Sequence, residues 1–436
     1  VSDTAEALDT SAAIAPAAAV MIAGGDDLGK NIQTFQWSSF VNSGYIVRCK
    51  FRDPNHAVLR SVVSGDDSTT KYLEEGRRRP VEIKFKLVKT GKLETDERLA
   101  YLTNIKAYGT AENGYTEFIG IDPPSFLLNA GTADGGAYKG KVSEVIKNVI
   151  KKFTDLKVTD GPDSEVNITT TQDNAENIHW MNRMDPKTFI SSLLEWSSPF
   201  TPKKSKWIVS SRDRAFNIKE EAELKGKDFG VVYVTARDGR ATDTMQWDAE
   251  LNNFVSVFQT KLATGGISSV SGKYYDPVTA PDQVIIDDAN TMAKVNSLEK
   301  SDKGRSFAKP GPSDNWPAGV PMTFIRPIPE YGSAGDLGKP YGEYISGRAR
   351  QLFMSMVNMV MRVVVEVKGA HELDDSDLLG VSTCTLSWKS NGVEEGHFLH
   401  GRWIIYGFRH NLTKHKGWRT QLYLYRIDYD AEATKI

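Results

Sequence analysis

The chain has 436 residues, 40% hydrophobic and 25% charged, a length that calls for more than one core and a balance that excludes global disorder. Its 54 Lys and Arg face 56 Asp and Glu, a net charge of -2, so no chain-wide basic field exists to grip a phosphate backbone tightly or to read nucleic-acid sequence. Two cysteines, Cys49 and Cys384, are too few for a disulfide scaffold or a zinc site and read as small buried hydrophobes of a reducing compartment.

The first thirty residues include an alanine-rich run, Ala12 to Ala23, that looks like the core of a signal peptide. Asp3, Glu6 and Asp9 precede it without a positive charge and Pro16 interrupts it, so it is read instead as a flexible arm that orders on a neighbouring subunit. No later stretch has the length and apolarity of a bilayer span, so no membrane insertion is expected.

Strands come next. Tyr45, Val47, Cys49 and Phe51 alternate with Ile46, Arg48 and Lys50; Val81, Ile83, Phe85 and Leu87 alternate with Glu82, Lys84 and Lys86. Leu99 to Tyr108 and Tyr115 to Ile121 form a further pair around Asn113-Gly114, a dipeptide suited to tight reversal. These strands suggest a small antiparallel barrel or sandwich, and 31–134 with 227–276 is taken as a first β-barrel domain.

Between 135 and 226 the period becomes helical, predicting an α+β domain. Val142, Val145, Ile146, Val149, Ile150 and Phe153 line one stripe, with Lys147, Lys151 and Lys152 on the wet side. A second helix opens with Asp185 as N-cap and Pro186 at its first position, burying Phe189, Ile190, Leu193, Leu194 and Trp196. Strands are expected at Ile178 to Met181, Ser205 to Val209, Phe229 to Val234 and Asn253 to Leu262.

Nine of the 18 prolines fall between Pro277 and Pro340. This span, 277–342, is expected to be irregular, either a flexible linker or a strap docked through Trp316, Met322, Phe324, Ile325 and Ile328. A last domain, 343–436, begins with a heptad-like helical run from Glu343 to Met361. It continues through a strand at Arg362 to Val367 and ends in two long strands, Arg402 to His410 and Trp418 to Ile427. On the last of these Trp418, Thr420, Leu422 and Leu424 share one face and Arg419, Gln421, Tyr423, Tyr425 and Ile427 the other. On its partner, Trp403, Ile405 and Gly407 oppose Ile404, Tyr406, Phe408 and His410. The fold class is therefore mainly β with an α+β insertion.

Chemistry-bearing residues are sparse. His397 and His400 come after Glu394 and Glu395, but positions three apart on an extended segment point to opposite faces and do not share one ion. Asp374, Asp375 and Asp377 lack the EF-hand pattern and read as a turn. Arg77, Arg78 and Arg79, after Glu74 and Glu75, suit a solvated loop or an inter-subunit ion pair. Gly265-Gly266 and the glycines of 332–338 do not form a phosphate cradle, and no nucleophile elbow or His-Glu-x-x-His pattern occurs. No catalytic, cofactor-binding or metal residue is assigned.

The order of the segments carries a resemblance. Tyr138 to Ile146, then Trp180 to Phe189 with Asp185 and Phe189 opening the second helix, resembles the corresponding segment of phage tail hub proteins. That family includes the late control protein D of contractile phages and the VgrG-type hub of type VI secretion. Val365 to Gly369, an Asp-containing turn, Gly401 to His410 and a final strand at Thr420 to Arg426 resemble the second barrel of these hubs. The resemblance implies two barrels related to tail-tube subunits and a homotrimer presenting six similar units, matching a sixfold tail tube to a threefold spike. It implies a structural virion protein of the tail baseplate, not an enzyme, assembled in the host cytoplasm. Its partners would be tail tube, spike and baseplate wedge proteins, with DNA only passing through the lumen. No spike-like repeat succeeds the second barrel, so the spike would be a separate chain, and no lysozyme-like insertion is evident. Two alternatives stay open: a carbohydrate-binding or carbohydrate-cleaving tail protein using some of the nine tryptophans as sugar platforms, and a tail adaptor of a non-contractile phage.

Overall fold

The computed structural model describes residues 18–22, 28, 31–64, 80–87, 97–110, 112–130, 136–168, 177–181, 184–196, 207–220, 224–235, 247–250, 255–256, 267–276, 280–285, 292–294, 320–327, 361–368, 373, 379–390, 393–394, 401–413 and 417–426. These form a mainly β molecule with short helices. The N-terminal part holds β1 (Ala18–Ile22), β2 (Ile32–Phe40), β3 (Gly44–Arg52), helix α1 (Ala57–Ser64), β4 (Glu82–Leu87), β5 (Arg98–Tyr108) and β6 (Tyr115–Ile121). An insertion comes after it with α2 (Pro123–Ala130), β7 (Gly136–Gly140), α3 (Val142–Phe153), β8 (Val166–Ile168), β9 (Asn177–Met181), α4 (Pro186–Trp196), β10 (Trp207–Arg212) and β11 (Ala215–Glu220). Next come β12 (Asp228–Thr235), β13 (Trp247–Glu250), β14 (Val255–Ser256), β15 (Ile267–Asp276), β16 (Ala280–Ile285), β17 (Met292–Lys294) and β18 (Val320–Pro327). The chain closes with β19 (Met361–Lys368), β20 (Thr383–Ser390), β21 (Val393–Glu394), β22 (Gly401–Thr413) and β23 (Gly417–Arg426).

Period-2 patterning produces the strands as expected. In β3, Tyr45, Val47, Cys49 and Phe51 are buried while Ile46, Arg48 and Arg52 are exposed. The turn into β3 places Asn42 at φ 63, left-handed backbone that asparagine tolerates. Past β3, buried Asp53 caps α1 by accepting the Val58 and Leu59 N–H groups at 3.0 and 3.2 Å, and also accepts the Thr116 hydroxyl at 2.7 Å. A β-carbon at Gly114 would overlap the Asp53 carbonyl, so that β5–β6 turn requires glycine.

Fourteen strands share one sheet. Its order starts β1-β4-β5-β6-β3-β2 and continues into β22-β23-β19-β13-β12-β20-β21, with β14 also on β19. Because β20 also pairs with β22, the strands β22, β23, β19, β13, β12 and β20 close into a six-stranded ring. The first six strands run edge to edge into that ring through β2 and β22, with no closure of their own among the described pairings. One continuous core serves both parts: Phe35, Trp37, Val47, Phe51 and Phe85 pack in the same cluster as Val363, Val365, Trp403, Ile405, Phe408, Leu422 and Leu424.

Several expectations change. Within 227–276, grouped by sequence with 31–134, β12 and β13 hydrogen-bond to β20 and β19 and so belong to the ring of C-terminal strands. Alternation shows that a strand exists but not which edge it meets. Residues 18–22 of the expected arm pair antiparallel with β4 of their own chain. The proline-rich span carries three strands, β16, β17 and β18, all pairing with β15. The heptad-like run lies outside the described residues except Met361, which opens β19.

The insertion has its own core. Val142, Val145, Ile146, Val149 and Ile150 of α3 are buried with Phe189, Ile190, Leu193 and Leu194 of α4, and with Phe216 and Ile218 of β11. Asp185 starts α4 as expected, its carboxylate accepting the Thr188 N–H at 2.8 Å and the Thr188 hydroxyl at 2.7 Å.

Candidate assembly surface

The two parts of the large sheet are joined by β22, which has two different neighbours along one edge. Gly401 to Ile404 pair with Leu386 to Thr383 of β20, whereas Gly407 to Thr413 pair with Phe40 to Thr34 of β2. The opposite edge stays on β23 throughout, but its register slips between Ile405 and Gly407, so Tyr406 is an extra residue. Such a bulge bends the strand and reverses the inward-outward phase of the residues beyond it. Trp403 and Ile405 enter the core before it, and Phe408, His410 and Leu412 enter after it. The sequence pattern puts Phe408 and His410 on the face opposite Ile405; the bulge carries them over.

The seam is apolar inside. Trp37 of β2 lies directly across from His410, and its ring meets the Phe408 ring edge-on at 5.3 Å and the His410 ring at 5.4 Å. His410 is fully buried, its Nδ1 2.9 Å from the Thr420 hydroxyl and its Nε2 2.8 Å from the Leu373 carbonyl. Both ring nitrogens have neutral partners, the arrangement of a satisfied core histidine.

Outside, seven neighbouring strands, β5-β6-β3-β2-β22-β23-β19, share one face that is largely polar, with Ile46 and Ile119 among its outward residues. Cross-strand register aligns Asn104, Ile119, Arg48, Gln36, Asn411 and Arg419 in one row. These side chains are exposed or half-exposed. Gln36 donates across the seam to the Asn411 side-chain oxygen at 2.8 Å, and Gln421 donates to Glu366 at 3.2 Å. The face thus carries a hydrogen-bonded polar ladder rather than a second core.

At the bulge the face turns aromatic. Phe40 packs against Tyr423 at 4.8 Å, Tyr406 against Tyr425 at 5.8 Å, and the Arg409 guanidinium sits 5.7 Å from the Tyr423 ring. Gly407 makes room for this: a β-carbon there would come within 2.7 Å of Phe40 Cε1.

The insertion is clamped to the N-terminal strands. Asn42 and Val209 exchange two hydrogen bonds, the Val209 N–H reaching Asn42 Oδ1 at 2.7 Å and the Asn42 N–H reaching the Val209 carbonyl at 3.2 Å. Arg214 donates to Tyr101 of β5 at 2.7 Å, to Glu165 at 2.8 Å and to Asp155 at 3.1 Å. Burial disfavours the guanidinium charge, yet the Glu165 hydrogen bond and the neighbouring Tyr101 and Asp155 outweigh it and hold the pKa above its ordinary value. Beneath the clamp, Asp122 is buried and accepts the N–H groups of Tyr45 and Ser125 at 3.2 and 2.9 Å. Burial raises its pKa against the pull of Ser125, Ser211 and Lys187.

The residues singled out from sequence fall in different places. Cys49 and Cys384 are free and buried on separate strands, and burial pushes both thiols well up. Trp403 is a core residue, as its position in the pattern suggests. His397, His400, Glu395, Asp374, Asp375, Asp377, Arg77, Arg78, Arg79 and the paired glycines lie outside the described residues. Among the described residues no three His, Cys, Asp or Glu side chains converge. Sequence reasoning missed the seam itself, because β2 and β22 lie at opposite ends of the chain.

Comparison with solved structures finds the same fold in tail proteins. The tail protein from Neisseria meningitidis MC58 superposes with a TM-score of 0.53 at 11% identity, over 94% of this chain and 97% of that one. The 43 kDa tail protein of prophage MuSo2 from Shewanella oneidensis gives 0.55 at 10% identity, over 95% and 100%. The E. coli c3393 protein, a component of the type VI secretion system, aligns over 94% of this chain and 77% of that one with a TM-score of 0.48 and 8% identity. No protein-family model matches the sequence, and no curated protein does.

Proposed function

We propose that this chain is a structural virion protein of a phage-type tail, the central baseplate hub that joins a sixfold tail tube to a threefold spike as a homotrimer. The observation that carries this reading is the β2–β22 seam: it sets two groups of strands side by side in one sheet that shares a largely polar outer face. A ring built from such double units repeats similar faces twice per chain, so three chains present six. The tail proteins that share the fold support the same reading. The N-terminal strands with β1 form one unit and β12–β14 with β19–β23 the other, the insertion buttressing the first through Arg214 and Asn42.

Tail tube and spike proteins are the axial partners, with wedge proteins around them, and DNA passes through the lumen lined by the polar face. The baseplate is its place in the virion, reached by assembly in the host cytoplasm, and the role requires no catalysis. Electron microscopy and light scattering of the purified full chain test this. A hollow threefold particle of three 48.3 kDa chains is expected. A compact monomer at every concentration overturns it.

A further inference from the structure

The chain as a whole carries a net charge of -2, but the outward face of β5-β6-β3-β2-β22-β23-β19 does not share it. Among the residues whose side chains are described, its outward positions hold seven cations, Arg48, Lys50, Arg52, Lys106, Arg402, Arg409 and Arg419, against two carboxylates, Glu117 and Glu366. Seven against two leaves a local excess of five positive charges. Arg48, Arg52, Lys106 and Arg402 are exposed, and the other cations are half-exposed. Aromatic rings support two of them without neutralising them. Lys50 lies 5.2 Å from the Tyr108 ring and 5.4 Å from that of Tyr115, and Arg409 lies against Tyr423. Tyr108 in turn donates its hydroxyl to Glu117 at 2.8 Å, occupying one of the two carboxylates.

We propose that this face binds the phosphate backbone of double-stranded DNA, weakly and without reading sequence. The inference rests on the proposed conduit and names what its wall does. Arg48, Lys50 and Arg52 stand two residues apart on β3, about 6.8 Å per step, and neighbouring strands lie about 4.8 Å apart. A duplex carries one negative charge per about 1.7 Å of axis, so several phosphates meet cations in any rotational setting. The cations are spread over β3, β5, β22 and β23 with Thr34, Gln36, Asn411 and Thr413 between them. A diffuse pattern of this kind suits a polyanion that shifts along the face, whereas a fixed acidic protein patch is matched by a compact cluster.

The test uses the full chain and a fluorescent mixed-sequence DNA duplex, read by anisotropy across a salt series. Binding is expected at low salt, falling linearly on a log–log plot. The triple variant Arg48→Gln, Lys50→Gln, Arg52→Gln should bind about tenfold or more weakly, with the salt slope shallower by roughly 2 to 3. Substitution of Lys151 and Lys152 by Gln, on the wet side of α3, should change neither. Absence of low-salt binding, a β3 variant that binds like the parent, or an equal loss in the α3 control overturns the inference. Displacement of the duplex by poly-glutamate at equal charge overturns it too, in favour of an acidic protein partner. Particle images of the same samples separate the two proposals: rings without DNA binding overturn this one alone, and DNA binding without rings overturns the hub alone.

Discussion

The Val41 N–H donates to the Tyr406 carbonyl at 2.8 Å, at the point where β22 passes from its ring partner β20 to the N-terminal strand β2. The extra residue on one strand is therefore anchored by the turn that ends the other. Two groups of strands within one sheet meet at β22 because that strand changes phase midway, and a single core forms across them.

Deleting Tyr406 tests this directly. Without the extra residue Phe408, His410 and Leu412 all rotate to the polar face, and the core across the seam loses three buried side chains at once. The expected result is loss of cooperative unfolding and of soluble protein. Tyr406→Phe keeps the backbone count and should unfold within about 1 kcal/mol of the parent, measured by chemical denaturation.

Gly407→Ala probes the aromatic patch beside the bulge. The new β-carbon collides with the half-buried Phe40 ring, which must leave its packing on Tyr423. A cost of about 1–3 kcal/mol is expected. Phe40→Ala combined with Gly407→Ala should cost less than the sum of the single changes, since the clash is gone; strict additivity in the double-mutant cycle contradicts the contact.

Much of this architecture is legible in the residues. The alternation of β3 and β6, the apolar stripe of α3, the Asp185-Pro186 start of α4 and the buried Thr420, Leu422 and Leu424 all arise from periodicity and capping, which are local. The pairing of Trp37 with His410 does not, because strands far apart in sequence are matched by shape and register that one pattern cannot encode. Nor does the bulge: Ile404, Ile405, Tyr406 and Phe408 are all apolar or aromatic, so a period of two fits in either phase. The entry of β12 and β13 into the ring is hidden for the same reason, since each alternates well enough to join any sheet. The cationic face is spelled out in β3 alone, as Arg48, Lys50 and Arg52, and its extension onto β22 and β23 needs the seam.

Asp122 gives the clamp a pH dependence with a definite sign. Its pKa in the folded protein lies above the ordinary carboxylate value of about 4, chiefly through burial, so the folded state holds the proton to higher pH than the unfolded chain. Its contribution to stability is full below the unfolded pKa and is lost as pH rises through the raised one. Asp122→Asn should flatten the decline of unfolding free energy over that window. It should also cost about 1 kcal/mol below it, where an amide nitrogen replaces an oxygen that accepted the Tyr45 or Ser125 N–H. Denaturant midpoints of both proteins across the acid range give the comparison, and parallel pH profiles contradict the assignment.

Leu422→Asp links the core to assembly. Leu422 is fully buried on β23, opposite Val365 of β19 and Phe408 of β22, among apolar neighbours of the common core. A carboxylate there would be desolvated, at a cost on the order of 4 kcal/mol, a large share of a domain's net stability. Because the ring and the N-terminal strands share that core, the damage should reach the seam: lower denaturation midpoints, and particles smaller than those of the parent in light scattering. Thr420 sits two residues along the same face and bonds His410, so Thr420→Val should instead cost only about 1–2 kcal/mol and leave particle size unchanged. Particles of parental size formed by Leu422→Asp would separate assembly from this core and remove the seam as its structural basis.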